Sequence, residues 1–292
     1  MSDGEEAEGS VAERNVFMSL VSRVIRQPPY RFPGQWGRPN ETSQPRIFKT
    51  LGSILRNATS EEFDAFITDF ISFAQEAHAG VDTQFYIEFT NMCTNIILHW
   101  VFTHRASVDI VRTLMARTCH LMQDQSNTLA IACRSFRPLC SQSGVTPLMF
   151  VAQNRQYDVL KVLLQYGMLE RERWPTYIVI SILFNSPRLE ELNEENRGDL
   201  GREIRECVEL CCRVLTSVCI PDIEMQIIYG RVPLIADWQE CIPTTRYQEP
   251  CELSHLCRAV VRGCLLRKNG LPAGIKDLPL PSRLQCFLNL EL

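Results

Sequence analysis

His255 and Cys257 stand two residues apart in CELSHLCRAV, and a thiol beside an imidazole is the pair from which covalent catalysis is built. The local pattern argues against that use. The stretch reads as a helix, where residues two apart point to different sides, so ring and thiol cannot share a proton. Nowhere does the chain carry a phosphate-cradling glycine loop, a G-x-S-x-G elbow or paired carboxylates on a recognisable scaffold. An enzyme is therefore not expected. Metal chemistry fares no better. There are thirteen cysteines, an odd number, with no C-x-x-C pair and no histidine placed to complete a zinc site. Neither a metal nor any other cofactor is expected. Cys207, Cys211 and Cys212 fall at helical spacing, as packing residues of a reducing compartment do. His99 and His104 read as packed or surface imidazoles.

Charge and hydropathy narrow the partners. A formal charge of −4 and a pI near 5.8 lack the concentrated basic surface that nucleic acid requires. No apolar run is long enough to span a bilayer, so no membrane is expected. The start, MSDGEEAEGS, is acidic and polar where a secretory leader would be basic and then apolar. The expected location is the cytoplasm or nucleus, where the glycosylation patterns at Asn40 and Asn57 carry no meaning.

The elements that must position any site are helical throughout. Residues 1–45 read as an N-terminal extension, disordered over 1–13 and then carrying one amphipathic helix, NVFMSLVSRVI. Its polar face is too poor in basic residues for a membrane surface, so docking on the following domain is the reading taken. QPPYRFPGQWGRPN is an extended connector. Thr59-x-x-Glu62 is a capping box opening a helix with Phe63, Phe66, Ile67, Phe70 and Ile71 on one face and Gly80 at its end. Further helices are expected through IILHWVF and VDIVRTLM, with NTLAIAC the remnant of another helix start.

Residues 143–167, SGVTPLMFVAQNRQYDVLKVLLQYG, are the most informative. Thr146 caps a helix, Pro147 occupies the position where its missing N–H costs nothing, and Leu148 begins the apolar face. A turn at Asn154–Gln156 leads to a second helix with Val159, Leu160, Leu163 and Leu164 inward and Gly167 at its end. This segment resembles one ankyrin repeat, with the G-x-TPL start, Ala152 and the V-x-x-LL core in place and Phe150 where the family has histidine. ASVDIVRTLM (106–115) aligns without gaps on RQYDVLKVLL (155–164) at an offset of 49, so the neighbouring repeats are degenerate. PTYIVISILF and REIRECVELCCRVLTSV form a further expected pair, separated by the acidic loop LEELNEENRGDL. Residues 46–245 thus read as an irregular helical array whose clearest repeat is 143–171.

From residue 249 the texture changes. Leu253, Leu256, Cys257, Val260, Val261, Cys264 and Leu265 recur at helical spacing, with Arg258 and Arg262 off the stripe. That face either covers the end of the array or enters another protein. KDLPLPSRL (276–284) follows, and a short helix is expected from Pro281 with Leu284, Phe287 and Leu288 facing back. Prolines hold LPLP extended before any docking. It either serves a partner or merely links two helices.

Leu253-x-x-x-Cys257-x-x-x-Val261 resembles the elongin-binding motif of SOCS boxes, and Leu278-Pro279-Leu280-Pro281 resembles the cullin box that follows it. Both together, in this order behind an ankyrin-like array, are similar to the ankyrin repeat and SOCS box family. Glu252 departs from the small residue or proline that the motif prefers before the leucine. The resemblance implies an all-α fold: a short irregular ankyrin-type solenoid followed by a three-helix SOCS box over 249–292. It implies a non-catalytic adaptor of a ubiquitin ligase. Leu253, Leu256, Cys257 and Val261 would bind elongin C, which comes with elongin B. Leu278, Pro279, Leu280 and Pro281 would bind cullin-5 with its RING-box protein, while the array holds an unknown protein substrate. The alternative is a plain scaffold whose C-terminal helices only cap the solenoid.

Overall fold

The computed structural model describes Thr59, residues 61, 62 and 65, and residues 107–121, 147–172, 174–184 and 194–291, with the side chains of 117–121, 147 and 194–198 left aside. The expected elements before Thr59, most of the helix after it, and IILHWVF, NTLAIAC, His99, His104, Asn40, Asn57 and Thr146 lie outside the described residues. Every described element is a helix, and none is long and apolar enough to cross a membrane. The chain divides into two compact units, residues 1–121 and 122–292.

In the first unit the capping box forms reciprocally. The Thr59 N–H donates to Glu62 Oε2 at 2.8 Å, and the Glu62 N–H donates to Thr59 Oγ1 at 3.2 Å. Helix α1, Val108–Leu121, buries Ile110, Val111, Leu114 and Met115. In the ungapped alignment these four correspond to Val159, Leu160, Leu163 and Leu164, which are buried as well. The repeated sequence thus keeps the same inward positions despite its irregular spacing.

The second unit holds the rest. Helices α2 (Pro147–Gln153) and α3 (Tyr157–Gln165) form the expected pair around a turn at 154–156. Helix α4 (Thr176–Phe184) packs on α2, and α5 (Glu194–Cys212) packs on α3 and α4. Helix α6 (Ile220–Ile228) lies on α4. Nearly all of α4 is buried, as its unbroken apolar run requires. Cys207, Cys211 and Cys212 are core residues. Burial pushes the thiols of Cys207 and Cys212 up to about 12 and raises Cys211 as well, so they stay protonated and inert.

Two expectations change here. The acidic loop is shorter than its composition suggested, because α5 already begins at Glu194, where carboxylates suit a helix N-terminus. The same helix stops at Cys212 instead of running through to Val218. The carbonyls just past its end are taken by side chains from further along the chain, as described below.

Gly167 ends α3 in a left-handed conformation, φ +77°. The Met168 N–H reaches the Leu163 carbonyl and the Gly167 N–H reaches that of Leu164, a Schellman closure. A Cβ at Gly167 would lie 2.5 Å from Leu266 Cδ1 and 3.0 Å from Leu271 Cδ1. Those leucine tips can swing aside, but the backbone cannot, so Gly167→Ala is expected to cost about 1–2 kcal/mol. Thermal unfolding of the variant beside the parent chain checks this.

Past α6 the chain makes two short 3-10 turns, Trp238–Cys241 and Thr244–Arg246, and then enters helix α7, Leu253–Arg267. A 3-10 turn at Ala273–Ile275 and helix α8, Ser282–Leu288, complete three C-terminal helical segments. Leu271, Ile275 and Leu288 are their small core, lined by Val261, Leu265, Leu266, Leu278, Leu280 and Phe287. Phe287 and Leu288 face back as expected, but Leu284 does not. It is 47 % exposed, on the outer side of a helix too short to bury two faces.

Candidate functional site

Helix α7 is amphipathic with its faces reversed. Leu253 is 77 % exposed and Val260 66 %, and Leu256, Cys257 and Cys264 on the same stripe are exposed too. The buried side is polar. His255, Arg258 and Arg262 are 4 %, 5 % and 1 % exposed. An isolated helix would bury the leucines and solvate the arginines. What reverses the preference is the surface beneath.

That surface is a row of helix C-termini, whose last carbonyls have no partner within their own helix. The Arg262 guanidinium donates from Nη2 to the Leu164 carbonyl of α3 at 2.5 Å and from Nη1 to the Leu288 carbonyl of α8 at 3.0 Å. Its Nε donates to Glu170 Oε1 at 2.7 Å. Arg258 donates to the Arg213 carbonyl, just beyond α5, at 2.8 Å and lies 3.5 Å over the centre of the Phe287 ring. Burial lowers its pKa to about 10, so it still carries its charge at neutral pH. Arg246, in the turn before α7, donates from Nε to the Cys212 carbonyl at 3.0 Å. Cations at helix C-termini also meet the negative end of the helix dipole.

His255 completes the row. Its Nε2 lies 2.9 Å from the Leu215 carbonyl and its Nδ1 2.9 Å from Arg246 Nη2. A carbonyl only accepts and a guanidinium only donates, so the ring is neutral with its proton on Nε2. Burial lowers the His255 pKa, and the Arg246 charge lowers it further. Protonation would turn the Arg246 contact into a clash of two donors. The neutral ring therefore contributes stability that is full above the unfolded-state value, about 6.5, and fades as pH falls through the lowered folded value. Thermal unfolding at pH 7.5 and 5.5 should show an acid loss that shrinks in His255→Gln. The thiol of Cys257 points outward, away from this buried ring, and no thiol–imidazole pair forms.

Glu252 precedes α7 and accepts from Arg246 Nη1 at 2.7 Å and from Thr245 Oγ1 at 3.1 Å. The Arg246 hydrogen bond holds its carboxyl down to about 2. An acid where the motif favours a small residue thus has a local task, steadying the arginine that holds His255.

The LPLP segment faces two ways. Pro279 and Pro281 are exposed, whereas Leu278 and Leu280 are half-buried against the C-terminal core. Gln285 Nε2 donates to the carbonyls of Leu278 at 3.1 Å and Leu280 at 3.2 Å, tying the segment to α8. Of the four residues singled out on α7, Leu253, Leu256 and Cys257 lie on the outward stripe, and Val261 lines the core. Val260, absent from that set, is more exposed than Leu256. Its 3.6-residue period in the sequence was the signal for it. For the buried polar stripe the only signal was the spacing i, i+3, i+7, which normally marks a solvated face.

Among the described residues no group of three His, Cys, Asp or Glu is placed to hold a metal ion. The SOCS box family model matches residues 249–289. Curated relatives span nearly the whole chain. Ankyrin repeat and SOCS box protein 17 of Canis lupus familiaris is 43 % identical over 97 % of this chain and 96 % of its own length. The Mus musculus protein of that name is 43 % identical and the Homo sapiens protein 41 %, each over the same shares. No solved structure matches. With an outward apolar stripe on its C-terminal helix, and relatives this similar along its length, the chain belongs to the ankyrin repeat and SOCS box family.

Proposed function

We propose that this protein is the substrate-recognition adaptor of a cullin-5 RING ubiquitin ligase. Leu253, Leu256 and Cys257 would enter elongin C, which brings elongin B. Leu278 to Pro281 would meet cullin-5 with its RING-box protein, and the array of residues 46–245 would hold the target. The observation that carries this reading is the reversed helix: α7 buries His255, Arg258 and Arg262 against its own molecule and leaves Leu253, Leu256, Cys257 and Val260 in water. Burying a leucine contributes roughly 1.5–3 kcal/mol, so two or three anchors offset the cost of association. The chain has no zinc-knot spacing of its own, so the transfer chemistry belongs to another subunit. A cap-only scaffold is the competing reading, favoured by the inward turn of Leu278 and Leu280. It leaves the exposure of Leu253 and Val260 without a reason.

Co-expression with elongins B and C and cullin-5 separates the two. The full chain should co-purify with all three. Replacing the exposed Pro279 and Pro281 by Gly, with Leu278 and Leu280 kept against the core, should leave elongins bound and weaken cullin about tenfold or more, because the extended segment would have to be ordered on docking. A chain that is soluble alone and ignores elongin would be a scaffold.

A further inference from the structure

Cationic side chains in this protein are overwhelmingly one kind: of thirty Lys and Arg residues, four are lysines, Lys49, Lys161, Lys268 and Lys276, and the rest are arginines. Some of those arginines do what only a guanidinium can. Arg246, Arg258 and Arg262 each serve buried acceptors at fixed angles. Others do not. Arg112 pairs with Asp109 and Arg202 with Asp199 one helical turn away, with more than half of each arginine side chain in solvent. Arg205 meets Asp237 in a similarly exposed pair. In the Arg202 and Arg205 pairs a lysine would serve equally well, because exposed pairs contribute little. Packing therefore does not account for the bias.

Resting on the ligase reading above, we infer that the shortage of lysine protects the adaptor from the reaction it directs. In ubiquitin transfer the lone pair of a neutral lysine ε-amine attacks the thioester carbonyl carbon that joins ubiquitin to a cysteine of the carrier enzyme. The C–N isopeptide bond forms and the C–S bond breaks. The amine gives up a proton and the departing thiolate gains one. A guanidinium stays protonated, with its lone pair delocalised, and cannot make that attack. The array is held beside the carrier by design, so any exposed amine on it competes with the target. The placement of the lysines fits this. Lys268 directly follows α7 and Lys276 stands two residues before Leu278, both beside surfaces that ligase subunits would cover. Lys161, half-buried on α3, is the array lysine among the described residues and the expected site of residual self-modification.

The test uses the full chain with elongins B and C, cullin-5, its RING-box protein and a ubiquitin-charged carrier. Self-modification is followed in time, and modified lysines are mapped by mass spectrometry. Arg112→Lys, Arg202→Lys and Arg205→Lys together keep every charge and raise the lysines before the SOCS box from two to five. Self-modification should rise about two- to threefold, with new sites at those positions, in proportion to the added amines. Adding Leu253→Asp to the triple variant should abolish the rise, and Lys161→Arg in the parent should lower its own modification. An unchanged rate in a triple variant that still carries elongins and cullin overturns the inference, as does a rise that survives Leu253→Asp. A parent chain that never captures elongin overturns the ligase reading, and the inference with it.

Discussion

Leu253→Asp is expected to abolish co-purification with elongins B and C while leaving the chain folded. The side chain is 77 % exposed at the first residue of α7, so the free molecule loses almost no packing. A carboxylate there stays hydrated until a partner tries to cover it. Moving it into an apolar pocket forfeits the leucine's contribution and adds the cost of stripping water from a charge, together about 3 kcal/mol or more. That corresponds to a loss of over two orders of magnitude in affinity. Val260→Asp, two helical turns on and 66 % exposed, should act in the same direction. The measurement is quantitative pull-down of tagged elongin C, with circular dichroism of each variant as the folding control. Wild-type capture by a well-folded Leu253→Asp chain would sink the docking role given to this stripe.

The second large effect is expected from the opposite face. Arg262→Met keeps most of the side-chain volume but strands two acceptors, the Leu288 carbonyl and the Glu170 carboxylate, and leaves the Leu164 carbonyl with the Gly167 N–H alone. Glu170 is mostly covered, so its charge would be left with little water to replace the guanidinium. Breaking a buried pair from one side costs about 3–5 kcal/mol, and the melting temperature should fall by on the order of 10 °C. Arg267→Met, on the exposed side of the same helix, should change stability by no more than about 0.5 kcal/mol. The contrast matters more than either value. Equal melting temperatures for the two variants would mean that the polar stripe does not hold the C-terminal segment in place.

Much of this was legible in the residues. The helix pair at 147–165, its turn and its glycine stop follow from local chemistry, as does the capping box at Thr59, because each depends on neighbours within a few positions. The limits of α5 did not. Where it stops is decided by Arg246, Arg258 and His255, some thirty to forty-five residues further on. The orientation of α7 was hidden for a similar reason. Periodicity shows that a helix has two unlike faces, and which one turns inward depends on what it meets. Here it meets unpaired carbonyls. Leu278 and Leu280 illustrate the same limit in miniature, since proline fixes their backbone but not the side on which they pack.

The closure of α3 by Arg262 and of Gly167 by Leu266 and Leu271 bears on how targets should be sought. Cutting the chain before residue 249 is the obvious way to make a bait that grips its quarry without destroying it. Such a bait would lose the guanidinium that seals one helix and the imidazole that seals another, and would lose the leucines that cover Gly167. Proteins caught by it would include those that recognise damage. A full-length bait carrying one outward change at Leu253 keeps the array closed and is the better tool.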